Sequence, residues 1–569
     1  MKKLLLAWTI LWVVVAPAAG QKPPQVARGT GGAVAAEEEN AARVGLEILK
    51  RGGNATDAAV AVAFALAVTW PEAGNLGGGG FWVSREARGK TLVVDYRETA
   101  PRAARRDLFV RPDARGVVPS SSEGPLASGV PGSVAGLALV HRQGGHLPWR
   151  ALVEPAIRLA RDGFVMTENV AESIGDRDHR DRLARDMETA RIFLPGGAPP
   201  PVGSRFRQPD LAVTLEAIRD RGEDGFYRGR VARSIEDGQK RQGGLVTRGD
   251  LARYEARVRP ALRFRFAGAD ILTSPAPSSG PALAEMALLA EIVGVSKIAP
   301  RDASSAHYTA EIEKRAYRDR NRYLGDPAFG GVRQNLFTDR ERLKTIAATI
   351  RPDRATPTDS LRGPEPDRPS TTHVVVVDSA GNAVSMTTTL NDSFGNARVA
   401  PGLGFLWNNE MDDFAAKPGQ KNMYGLIQGR VNEVAPGKRM LSAMCPVIAV
   451  INGRNAFVWG TPGGATIPTT NFQVMLGILL RREPLDAAVA APRFHQQDRP
   501  DRIQAERGRF DPEWTAALRR LGHEVVDRDG NGLIGRVNAI ARGRDGATTA
   551  VADPRRSGAA FVVRPLPAP

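Results

Sequence analysis

The chain of 569 residues contains one cysteine, Cys445. That excludes an internal disulfide framework and any zinc or iron–sulfur site built on several thiolates. Histidine is equally sparse, with seven residues, no ligand spacing and no His-Glu-x-x-His. No apolar run reaches the roughly 20 residues of a membrane span; residues 4–15, interrupted by Thr9, and 58–68 supply eleven apolar residues each. The Gly-x-Ser-x-Gly elbow of many hydrolases is missing. Gly89-Lys90-Thr91 ends like a phosphate loop but has Ser84 where the first glycine belongs, and Gly77 to Gly80 do not match a dinucleotide fingerprint. Residues 527–532 begin like a calcium loop, yet the twelfth position is Asn538 instead of a bidentate Glu, so a plain turn is expected. Neither metal nor cofactor is expected.

Hydrophobic residues make up 42% and charged residues 25%, an ordinary globular balance. The formal net charge of +16 is carried almost wholly by arginine. Basic residues alternate with acidic ones, as in 177–187, and no aromatic-interleaved basic stripe occurs. This reads as a solvated, arginine-biased surface and not as a nucleic-acid interface.

Lys2 and Lys3, the apolar residues 4–15 and the small residues 16–20 form a signal peptide, 1–20, of an exported chain; an uncleaved anchor is the alternative. Residues 37–50 read as an amphipathic helix stopped by Gly52-Gly53. Asn54 or Thr56 then caps a helix through 58–68 that is apolar on every side and belongs inside a layered core. A strand pair follows at 81–84 and 92–97, and helices dominate 133–350. Residues 352–370 hold five prolines in nineteen positions, a composition expected to be exposed and mobile. At 371 the texture becomes β: 371–378 pairs with 383–390, and 446–451 turns through Asn452-Gly453 into 456–460. Thr461-Pro462-Gly463-Gly464 then leads into a helix over 468–480. Hairpins followed by a helix suggest sheet layers covered by helices.

The chemistry that remains lies at the end of the linker, Pro369-Ser370-Thr371-Thr372-His373. A cut after Ser370 would make Thr371 an N-terminus. Its α-amine, with a pKa of roughly 7.7–8.0, can take the proton of its own residue's hydroxyl, so no histidine is needed. Gly463-Gly464 stands at a strand-to-helix turn, where bare N–H groups can face a developing oxyanion. Arg97 offers a planar fork for a carboxylate, or else pairs with Asp95 or Glu98.

These stretches resemble the γ-glutamyltranspeptidase (glutathione hydrolase) family of the N-terminal nucleophile hydrolases. The likeness runs through Thr371-Thr372-His373, TTTLN (387–391), NNEMDDF (408–414), MLSAMCP (440–446), TPGG (461–464) and APRFH (491–495). Upstream it includes GNLGGGGF (74–81), DYRETAP (95–101), Pro277 to Gly280 and YLGDP (323–327), covering the mature chain in family order. The resemblance implies an α+β, four-layer αββα sandwich built from two autoproteolytic subunits. These are a large one over 21–370, ending in the linker 352–370, and a small catalytic one over 371–569, associated as a heterodimer with no membrane span after signal cleavage.

It further implies autocleavage between Ser370 and Thr371, attack by Thr371 on γ-glutamyl amides such as glutathione, and resolution of the ester by water or an amino acid or peptide amine. Thr389 would support the nucleophile, and Gly463 and Gly464 would form the oxyanion hole. Arg97 and Ser442 would take the donor's α-carboxylate, and Asn391, Glu410 and Asp413 its ammonium. Residues 418–429, with Tyr424, match a lid loop. The chain departs from the family at Ala443, where a second serine is common, and at Cys445, read as a buried packing thiol. An acylase of the same fold and an uncleaved binding protein are the alternatives, and the location is periplasmic or secreted.

Overall fold

The computed structural model describes residues 25–113, 116–358, 371–417, 419–530, 532–556 and 558–565. The signal-peptide expectation at 1–20, Ser370 and linker residues 359–370 therefore lie outside the described residues, as does Pro418 of the lid. The first helix, α1 (Glu39–Lys50), is capped by the Glu38 carboxylate, which accepts from Ala41 N at 3.0 Å. The second, α2 (Ala55–Thr69), starts with a reciprocal Asn54–Asp57 capping box. Of the two expected caps, Asn54 serves and Thr56 does not. Helix α2 is buried along nearly its whole length, which is where a helix without a polar face has to go.

Thirteen described strands form one sheet: β1 (Val26–Ala36), β2 (Gly79–Arg85), β3 (Thr91–Asp95), β4 (Arg257–Arg259), β5 (Leu262–Phe266), β6 (Ala269–Thr273), β7 (Thr372–Asp378), β8 (Ala383–Thr389), β9 (Val447–Ile451), β10 (Arg454–Gly460), β11 (Asn538–Arg542), β12 (Thr548–Ala552) and β13 (Ala559–Pro565). Their order is β4-β3-β2-β8-β7-β1-β12-β11-β10-β9-β6-β5, with β13 added on β1. Strand β1 joins the two halves. Val26 to Gly29 pair with β12, whereas Ala33 to Ala36 lie between β7 and β13. The register shifts between Thr30 and Ala33, at Gly31 and Gly32, whose φ values of +83° and +112° only glycine adopts at low cost.

The curled sheet folds onto itself. Val83, Val93, Val375 and Val377 of one half meet Leu272, Ile448, Val458 and Ile540 of the other in a single inner core. Alternate residues point outward: Val374, Val376 and Met386 pack with α2. On the far side, Val447, Ala449 and Trp459 pack with α3 (Gly280–Val293) and α5 (Ile467–Met475), and α4 (Ala303–Tyr323) lies over α3. The result is helix–sheet–sheet–helix, the αββα order expected. The unbroken valines of β7 reflect burial on both faces. The Asn452-Gly453 turn carries two left-handed residues, φ +51° and +77°, as a two-residue hairpin requires.

One expectation needs correcting where it can be seen. Pro352 to Arg354 are exposed, but the next residues are strapped down. Ala355 N donates to Leu521 O at 2.6 Å, Thr356 N to Glu311 Oε1 at 3.2 Å, and Thr358 N to Asp501 Oδ2 at 2.7 Å. A composition poor in apolar residues predicts no core, but it does not count backbone donors that meet acids elsewhere in the chain. Among the described residues no helix is long and apolar enough to cross a membrane.

Candidate active site

Thr371 immediately precedes β7. The β7–β8 register pairs Thr372 with Thr388, so one step further sets Thr371 opposite Thr389. Their hydroxyls meet at 3.3 Å, and Thr389 Oγ1 also accepts the Asn391 N–H at 2.8 Å. Thr371 is only 3% exposed, and its carbonyl accepts from Arg536 Nη2 at 3.4 Å.

The glycines of the GNLGGGG stretch explain why Thr389 stands where it does. A Cβ on Gly78 would lie 2.1 Å from Thr389 O, and one on Gly80 would lie 2.2 Å from Thr387 O. Any side chain there would push β8 away. Asn75 completes the clamp: its Nδ2 donates to Thr389 O at 2.9 Å, and its Oδ1 accepts from Gly78 N and Ser133 Oγ. Sequence reasoning matched this stretch without giving Asn75 a task.

Behind the hairpin, His373 is fully buried, with Nδ1 2.8 Å from Thr387 Oγ1. Burial lowers its pKa to about 3, so the ring is neutral. Gly460 leaves room for it, since a Cβ there would meet His373 Cε1 at 2.2 Å. Three bonds tie the sheet halves together here: Asn538 Nδ2 to His373 O at 2.8 Å, Ser385 Oγ to Trp459 O at 3.0 Å and Val447 N to Ser385 Oγ at 3.1 Å.

Strand β10 exits into Thr461-Pro462-Gly463-Gly464. Gly463 (φ +143°) and Gly464 (φ +54°) turn the chain into a short 3₁₀ segment and then α5. Among the described residues neither amide donates a hydrogen bond, so both N–H groups are available at a helix entrance. A Cβ on Gly464 would come within 2.6 Å of the Tyr424 ring. Tyr424 is 6% exposed and its hydroxyl lies 2.8 Å from both Asn391 O and Asn391 Oδ1. The ring of Tyr424, in the loop expected as a lid, thus packs against Gly464. Asn391 itself adopts φ +80° and donates to Asn409 O at 3.0 Å.

Arg97 is wholly buried among three carboxylates: Glu98 at 3.3 Å, Glu410 at 2.6 Å and Asp413 in close contact. Burial opposes its charge, but Glu410, Glu98 and Asp413 outweigh that and raise its pKa. Burial also raises all three acids, Glu98 to about 7 and Glu410 well above its usual value, only partly offset by Arg97. One guanidinium cannot neutralise three ionised carboxylates in a dry pocket, so protons remain on some of them at neutral pH. Glu410 is near Arg97 yet off the hydrogen-bonding direction, leaving both its oxygens without a bonded donor. Of the two ion pairs weighed for Arg97 alone, Glu98 forms. Asp95 instead accepts the Arg97 backbone N–H at 3.0 Å.

Ser442 Oγ accepts from Met444 N at 3.2 Å, and Ser442 O accepts from Ser279 Oγ at 2.6 Å. Ser279 Oγ in turn accepts from Arg320 Nε at 2.7 Å. Arg320, on the buried side of α4, is a second interior cation beside this cluster that sequence reasoning missed. Flanked by Arg318 and Arg322, it carries no local signal. Ala443 is half-buried beside Ser442. Cys445 is fully buried; burial pushes its thiol up to about 12, although Asn471 hydrogen-bonds it, so it packs as expected.

The family model that matches is described as gamma-glutamyltranspeptidase and covers residues 41–563. The chain is 40% identical over 534 residues to the glutathione hydrolase proenzyme of Escherichia coli, covering 93% of this chain and 91% of that one. It is 41% identical over 566 residues to the glutathione hydrolase proenzyme of Pseudomonas aeruginosa, covering 97% and 98%. Among solved structures, a cephalosporin acylase from Bacillus halodurans superimposes with a TM-score of 0.83 at 26% identity, over 97% of this chain and 99% of that one. The acylase likeness, which kept an acylase reading open, is thus the weaker in sequence. The chain belongs to the gamma-glutamyltranspeptidase family and is an enzyme of its γ-glutamyl hydrolase/transferase type.

Proposed function

We propose that Thr371 is both the self-processing residue and the nucleophile for glutathione and related γ-glutamyl amides. In the precursor, Thr371 Oγ1 attacks the carbonyl carbon of residue 370 and its proton passes to the departing nitrogen; the peptide C–N bond breaks and frees the α-amine, and water hydrolyses the resulting ester, which restores the Oγ1 hydroxyl and leaves a carboxylate on residue 370. That amine then takes the Oγ1 proton as the oxygen attacks the donor's γ-carbonyl. The tetrahedral oxyanion is met by the Gly463 and Gly464 N–H groups, each worth about 2.7–4 kcal/mol if aligned. Collapse passes the proton to the leaving amine and leaves a γ-glutamyl ester, which water or an acceptor amine resolves. Thr389 holds Oγ1 in place.

The internal pairing of Arg97 with Glu410 and Asp413 suits a zwitterionic donor. Its α-carboxylate, helped by Ser442, takes over the guanidinium, while its ammonium goes to the released carboxylates and Asn391. The guanidinium's internal pairing with these carboxylates is exchanged for pairing with the donor's two charges, so little charge is left uncompensated. We further infer export under the residues 1–20 signal to the periplasm or medium, and large (21–370) and small (371–569) subunits that remain associated.

The observation that carries this reading is the Thr371–Thr389 hydroxyl pair at the start of β7. Intact mass and N-terminal sequencing of the wild type beside Thr371→Ala test it. Two fragments, one beginning at Thr371, are expected from the wild type and a single chain from the variant. A folded wild type that stays whole would sink the mechanism.

A further inference from the structure

A cavity of about 180 Å³ lies beyond the C-terminal end of α5, between α6 (Leu485–Ala490) and α7 (Pro512–Arg520). Its apolar lining includes Val474, Leu476, Ala488 and Phe494, together with Phe510 and Trp514 stacked with centroids 4.0 Å apart. An apolar cavity of roughly 150 Å³ holds a benzene ring, so this one accommodates a single ring with a small substituent.

The polar part of the wall is cationic: Arg301, Arg481, Arg493 and Arg509, against Asp511 alone. Two of these arginines are already paired, Arg301 with Glu483 and Arg493 with Asp553. Asp511 is committed to capping α7 through Trp514 N at 2.7 Å, and the nearby Asp302 caps α4 through Ser305 N at 2.6 Å. Among the described residues, Arg481 and Arg509 have no carboxylate within ion-pair distance. Arg481 Nη2 donates to Ser305 Oγ at 3.0 Å, and Arg509 Nη2 to Ala490 O at 2.8 Å. Burial first, and then Arg301 beside it, lower the pKa of Arg481 by more than Glu483 and Asp302 raise it. Arg493 Nε adds a buried donor without a partner.

We propose that this cavity binds a flat aromatic monocarboxylate, its ring against Phe510 and Trp514 and its carboxylate on the Arg481 fork. A planar guanidinium favours a carboxylate over a neutral amide of the same shape, and stacked aromatic walls favour a flat ring.

The test is calorimetric titration of the full-length protein with phenylacetate and with its neutral isostere phenylacetamide. Saturable phenylacetate binding is expected, with the amide about tenfold weaker, the margin of one charge-assisted contact. Arg481→Ala should weaken phenylacetate about tenfold and leave the amide unchanged. Arg481→Gln, which keeps a donor for Ser305, guards against a folding defect and should behave the same way at an unaltered Tm. No saturable heat, equal affinity for acid and amide, or undiminished phenylacetate binding by both variants would overturn the site.

Discussion

Thr389 is the residue on which the proposed nucleophile rests, and it acts through one hydroxyl. Removing a hydrogen bond to a group that becomes charged costs about 1.5–3 kcal/mol. Thr389→Ala is therefore expected to lower kcat/KM on a chromogenic γ-glutamyl anilide by about ten- to a hundredfold, and Thr389→Ser to restore most of it. His373 makes a prediction about stability. Its pKa is about 3 in the folded chain, against an ordinary 6.5. Between those values the unfolded chain binds the extra proton, so this ring's share of stability is lost as pH falls from 6.5 toward 3, by about 1.4 kcal/mol per pH unit. Urea unfolding of His373→Gln between about pH 4 and 6.5 should show a pH slope shallower than wild type by that amount; an unchanged slope would mean that the ring is already charged. The placing of Thr371 at the start of a strand and of Gly463-Gly464 at a strand-to-helix turn was legible from the linker, the β-run and the glycine pair. Asn75 and Arg320 were not, because their work is to hold other residues and their neighbours in sequence look the same.

At the scale of elements, the loop proposed as a lid is the part to probe. Tyr424 fastens it through one hydroxyl shared between two acceptors on Asn391, and through Gln497 Nε2, which donates to Tyr424 O at 3.2 Å. Tyr424→Phe keeps the ring over Gly464 but loses the hydroxyl. A bond worth about 1 kcal/mol predicts a rise in KM of about fivefold with kcat within a factor of two, together with faster tryptic cleavage in residues 419–429. Unchanged KM and proteolysis would mean that the ring alone holds the loop. Helices α1 and α2 and both hairpins could be read from periodicity, caps and the Asn-Gly turn. The pairing order of the strands could not. Nothing in Val26–Ala36 announces one strand serving both halves of the sheet, since that depends on where Gly31 and Gly32 bend it.

For the whole molecule, the order of strands decides how the two proposed subunits relate. Strands β1 to β6 come from the part before residue 371 and β7 to β13 from the part after it, and they interleave: β2 against β8, β7 against β1, β1 against β12, β9 against β6. The wild type should accordingly give two bands on a denaturing gel and a single peak on native size exclusion, and neither fragment expressed alone should be soluble and folded. A fragment that folds by itself would show the halves to be separable domains. Sheet layers covered by helices were foreseeable from hairpins and helices in succession, and their αββα order from the family resemblance, but the interleaving was not, because every partner across a junction lies far away in sequence.

The same interleaving gives the molecule a history. Before the cut, β1 and β7 are tethered, and each strand finds its neighbour within one molecule. After the cut, the same sheet can be lost but is regained only by an encounter between two chains, so recovery from denaturant should depend on protein concentration in the processed enzyme and be independent of it in Thr371→Ala. Processing would thus convert a fold of one chain into an assembly of two, whose recovery is set by how often the partners meet.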